Sequence, residues 1–129
     1  LKELRCIVFT DREIVSAVSD RRRRIGEPLP RGTVREVSFT IDGTVTTRLE
    51  MAAEDGSVAA VELGEPEVVA AMVAYCMARK VPLPVDAEKT LYVVRGALTL
   101  MITMNFNRAP RLIVDAAVRE LRPERPRAP

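Results

Sequence analysis

Residues 6–30, CIVFTDREIVSAVSDRRRRIGEPLP, align without a gap on residues 60–84, AVELGEPEVVAAMVAYCMARKVPLP. Internal self-similarity of this kind constrains a fold more than local propensity does, because each copy must build the same supersecondary unit. Glu13 meets Glu67, Ala17 meets Ala71, and Pro28-Leu29-Pro30 meets Pro82-Leu83-Pro84, all at an offset of 54 positions. Apolar residues match between them: Ile7 with Val61, Phe9 with Leu63, Ile14 with Val68, Val18 with Met72.

Each copy reads β-α-β-β. In the first, CIVF (6–9) has the character of a short strand, and Thr10 with Glu13 three residues on forms a capping box for a helix. That helix runs to about Ile25, where Gly26 offers a left-handed stop and Pro28 prevents continuation. TVREVSFTI (33–41) and TVTTRLEMA (44–52) each alternate apolar with polar residues around the hairpin signal Asp42-Gly43. In the second copy SVAAVEL (57–63) is the strand, Pro66 suits a first helical turn, and the helix continues to about Lys80. EKTLYVV (88–94) and ALTLMITM (97–104) then form a hairpin around Arg95-Gly96.

The pattern predicts an α+β fold of tandem, pseudo-duplicated β-α-β-β units, about 6–52 and 58–104, with a mostly antiparallel sheet and the helices packed on it. PRLIVDAAVREL (110–121) puts Ile113, Val114, Ala117, Val118 and Leu121 on one stripe, predicting a C-terminal helix over about 110–122. The chain then reads as one globular domain, 1–122, with a disordered tail, 123–129. No apolar run reaches the ~18–20 residues of a membrane span. The opening LKELRC lacks a secretory pattern, so a cytoplasmic chain with reduced Cys6 and Cys76 is expected.

The formal charge is only +2 but unevenly spread. Residues 1–31 and 108–129 each carry +3, while 32–64 carries −4. The most conspicuous basic feature is Arg21–Arg24, which aligns with the apolar Tyr75-Cys76-Met77-Ala78 of the second copy. The repeated architecture therefore does not require arginine there. Successive helical residues point about 100° apart, so the four arginines spray around the axis instead of forming a stripe. Arg21 falls on the line of Ile14, Val18 and Ile25, Arg22 borders it, and Arg23 and Arg24 point away. A solvated helix end opposing the orphan carbonyls is the plain reading. Together with Arg108, Arg111 and Arg119 on a basic side of the C-terminal helix, Arg22, Arg23 and Arg24 are the candidates for binding nucleic acid or another anionic partner.

Catalytic chemistry finds little support. The chain has no histidine, which removes the usual neutral-pH base and the commonest metal ligand. It has no glycine-rich phosphate loop and no CxxC pair, so neither a cofactor nor a metal is expected. The helix–three strands–helix order over 10–80 resembles that of the double-stranded RNA-binding domain. That family carries a basic cluster at the start of its second helix, where this chain reads GEPEVV (64–69). Tandem β-α-β units with extra strands also resemble the glyoxalase and bleomycin-resistance proteins, whose enzymes build metal sites from histidine and glutamate.

The stronger hint is surplus apolar surface. TLYVV (90–94) is apolar on both faces, with Leu91 and Val93 on one and Tyr92 and Val94 on the other. Met101 lies on the otherwise polar face of the next strand, so Tyr92, Val94 and Met101 mark a candidate interface. The C-terminal helix or a second copy of the chain would cover it. These features predict a non-enzymatic interaction or regulatory module that acts as a homodimer through protein–protein contacts, with nucleic-acid binding through the arginine clusters at 21–24 and 108–122 as the alternative.

Overall fold

The computed structural model describes residues 2–84 and 86–104. Their elements run β1 (Glu3–Phe9), α1 (Asp11–Arg24), β2 (Thr33–Asp42), β3 (Thr44–Ala52), β4 (Val58–Leu63), α2 (Glu65–Ala78), β5 (Glu88–Val94) and β6 (Ala97–Met104). The fold is α+β. The expected helix over 110–122 and the tail beyond it lie outside the described residues.

The two helices begin differently and end alike. Thr10 caps α1 with a complete capping box: its hydroxyl accepts from the Glu13 amide, and Glu13 Oε1 accepts from the Thr10 amide at 2.9 Å. At the start of α2, Gly64 offers no side chain, and Pro66 occupies the first turn. The C-termini match bond for bond. The Glu27 amide donates to the Arg22 carbonyl and the Val81 amide to the Cys76 carbonyl, each at 2.9 Å, across a left-handed residue. That residue is Gly26 (φ 78°) in one case and Lys80 (φ 58°) in the other.

Sheet topology departs from the single sheet expected. The described residues form two three-stranded antiparallel sheets, ordered β1-β6-β5 and β2-β3-β4. Each takes the leading strand of one half and the hairpin of the other, so β1 pairs with β6 and β4 pairs with β3. The physical reason is the helix that follows each leading strand. It packs against its counterpart, α1 on α2, and each half's hairpin then lies beside the other half's leading strand. The short connections are as the sequence demands: Gly43 (φ 72°) turns β2 into β3, and Arg95-Gly96, both at positive φ, turn β5 into β6.

One core joins the layers. Ile14, Ala17 and Val18 of α1 and Val68, Ala71 and Met72 of α2 are buried with Leu49, Leu63, Leu91, Leu98 and Leu100 from both sheets. The alternation in the strands sorts these faces: Leu98, Leu100 and Ile102 of β6 point inward, and Met101 points the other way. Phe9 meets Tyr75 with ring centroids 5.7 Å apart. Among the described residues no helix is long and apolar enough to cross a membrane.

Candidate functional site

Three features could carry function: the arginine run, the outward face of β1-β6-β5, and a groove beside β2.

The arginine run divides by geometry. Arg22 turns toward α2 and grips Glu67 with two bonds, Nε to Oε2 at 2.6 Å and Nη2 to Oε1 at 3.2 Å. Both side chains are largely covered, and this bond raises the Arg22 pKa further. The pair ties the last turn of α1 to the first turn of α2. At the matched positions the other pairing is Cys76 with Glu13, where burial first and the Glu13 charge second push the thiol pKa up. Among the described residues, the helix pair thus carries its ion pair at one end only. Arg23 pairs with Asp20 one turn back on the surface, and Arg24 is exposed. Arg108, Arg111 and Arg119 lie outside the described residues.

The structure brings Tyr92, Val94 and Met101 together. Met101 is fully buried, and Tyr92 and Val94 pack against it in a cluster separate from the main core. They sit on the outward face of β1-β6-β5, where the register aligns Met101 with Cys6 and with Thr90. The Cys6 thiol donates to the Met101 sulfur at 3.1 Å, and burial raises its pKa. Toward the β1 rim the face opens: Leu4 is 37% and Val8 61% exposed. A shallow depression of about 380 Å³ lies between Val8, Val94, Ala97 and Met101. The corresponding face of β2-β3-β4 carries Glu36, Ser38, Arg48, Glu50 and Glu62 instead.

The groove lies between α1 and β2. Its volume is about 860 Å³. One wall is an α1 stripe, Arg12, Val15, Ser16, Ser19 and Arg23, and the other is the start of β2 from Thr33 to Val37. Gly32 (φ 139°) closes one end, where a Cβ would stand 2.3 Å from the Ala52 carbonyl oxygen, so no other residue fits.

Sequence reasoning missed the groove and missed Glu65. The Glu65 carboxylate accepts from the Val45 amide of β3 at 2.9 Å and from the Leu91 amide of β5 at 3.2 Å, bridging the two sheets. An acidic residue in a first helical turn was visible, but its partners are distant in sequence. The spacing Arg12-Ser16-Ser19-Arg23 was the available signal for a second helix face. No group of three His, Cys, Asp or Glu among the described residues is placed to hold a metal. Compared with known proteins, the chain matches no family model, no curated protein and no solved structure.

Proposed function

We propose that the protein is a small, cytoplasmic, non-enzymatic interaction or regulatory module that associates with a second copy of itself through the outward face of β1-β6-β5. The observation that carries this reading is the exposed apolar rim of Leu4 and Val8 on the outward face of β1, beside the cluster of Tyr92, Val94 and Met101, with both described helices in the core on the inner side. On the outward face Leu4, Cys6 and Val8 of β1 lie beside Thr99, Met101 and Thr103 of β6, and the charged residue lining the depression there is Arg95. Such a surface is complementary to itself about a two-fold axis, and pairing it removes Leu4 and Val8 from water. Burying one aliphatic side chain of this size contributes about 1.5–3 kcal/mol. We also propose that the two halves arose by tandem duplication, which accounts for the shared strand order and the matched helix ends.

Light scattering on the full chain tests the association. The wild type is expected to run as a dimer, and Leu4→Glu with Val8→Glu as a folded monomer with an unchanged circular-dichroism spectrum. A wild type that stays monomeric to concentrations on the order of 100 μM, a dissociation constant weaker than about 5–6 kcal/mol of association, overturns it. Nucleic-acid binding through the arginines is the competing reading, favoured by exposed Arg24. It requires an affinity for mixed-sequence DNA or RNA that falls steeply with salt and less steeply after Arg23→Ala and Arg24→Ala.

A further inference from the structure

We propose that the groove between α1 and β2 is a docking site for an extended acidic peptide, which adds to the second sheet as a fourth strand beside β2. The site is separate from the association face.

The backbone argues first. β2 is an edge strand: it pairs with β3 on one side, and among the described residues no strand pairs with its other side. Unpaired edge amides and carbonyls are a template for another chain. α1 faces this edge across the groove without packing closely on β2. The dimensions agree. The groove-lining part of β2, Thr33–Val37, extends about 16 Å at the usual strand rise. The α1 stripe from Arg12 to Arg23 spans about 16 Å at the helical rise. A strand of about five residues fits the length of both walls.

The side chains argue for the peptide's composition. The floor is apolar, from Val15, Leu29, Val34, Val37 and Met51. A β-bulge between Val34 and Glu36 keeps both Val34 and Val37 on the inner face. Around the floor stand Arg12, Arg23, Arg31 and Arg35 against Asp11 and Glu36. Arg23 already meets Asp20, and Arg35 approaches Glu50 at 4.0 Å. Arg12 and Arg31 are exposed and have no ion pair among the described residues. A peptide whose inward-facing side chains combine an apolar residue over the floor with acidic residues beside Arg12 and Arg31 matches this surface, its outward-facing side chains being neutral because that face of β2 carries Glu36. Positive charge along the edge also disfavours a second copy of β2 in the same place. Single-stranded nucleic acid is the less suitable occupant, since the lining holds no aromatic residue on which bases could stack.

The probe is an acetylated, amidated peptide with glutamate, valine and glutamate at alternate positions and threonine between them, titrated into isotopically labelled full-length protein. Amide shifts are expected along Thr33–Val37 and along the Arg12–Arg23 stripe. Arg12→Glu with Arg31→Glu is expected to weaken binding at least tenfold, and both sites are exposed enough to leave folding intact. Two N-methylated peptides, blocking alternate amides, separate strand addition from charge attraction: one register should lose at least tenfold and the other little. Equal binding of both, no shifts at peptide concentrations on the order of a millimolar, or tighter competing binding of an oligothymidylate would each overturn the proposal. The Leu4→Glu, Val8→Glu protein should bind the peptide as the wild type does.

Discussion

The two sheets share strand order and differ in what they show to the outside. Each combines a leading strand from one half with a hairpin from the other, and each turns leucines inward, Leu100 from one and Leu49 from the other. Outward, β2-β3-β4 presents Glu36, Arg48, Glu50 and Glu62, with Glu50 near both Arg35 and Arg48. β1-β6-β5 presents Leu4, Cys6 and Val8 along β1, beside a buried strip of Thr99, Met101 and Thr103. Since the same topology folds with a charged outer face, an apolar one is not a requirement of the topology. That contrast is why the first sheet is read as the associating one and the second, whose β2 edge borders the basic groove, as the one open to a peptide.

The largest test of the comparison is in the core. Leu49→Ala and Leu100→Ala should each lower stability by about 3 kcal/mol or more, because both side chains are fully buried on inner faces. Urea unfolding of the two variants measures this. A much smaller loss at Leu100 would mean that the inner faces are not equivalent. Next comes the bridge between the sheets. Glu65→Ala strands the Val45 and Leu91 amides and should cost about 2–3 kcal/mol. Hydrogen exchange should quicken at both amides, one in each sheet.

Smaller effects sharpen the match between halves. Lys80 holds the left-handed position that glycine fills at Gly26, so Lys80→Gly should stabilise by about 0.5–1 kcal/mol, read as a raised melting temperature. The smallest effect belongs to the loop that joins β3 to β4. Asp55 accepts from the Ser57 hydroxyl and amide, which lowers its pKa. A carboxylate lowered on folding contributes stability above its unfolded pKa and loses it as pH falls through the folded value. Acid titration of wild type against Asp55→Ala should therefore show a slightly shallower stability loss for the variant below the ordinary aspartate range.

Much of the local structure was legible in residue order. The capping box at Thr10 and Glu13, the left-handed Gly26, the Asp42-Gly43 turn and the alternation of β3 all act over a few neighbours, and all are present. The apolar character of TLYVV on both faces also anticipated the meeting of Tyr92, Val94 and Met101. The expectation of one sheet did not hold, because strand pairing is chosen between segments far apart, and alternation says which face is buried without saying against what. Arg22 shows the same limit. Its place on the helix was readable, but its engagement depends on Glu67 arriving 45 residues later in the chain.

Sequence by itself determined which segments are helices and strands, where they turn, and which faces are apolar, because backbone sterics and side-chain periodicity operate within a few residues. Only the tertiary structure decided that the hairpins are exchanged between halves, that Glu65 joins the sheets, and that α1 and β2 leave a basic groove. Those outcomes depend on packing α1 against α2, and a long-range contact between two surfaces is not encoded in the spacing of either one.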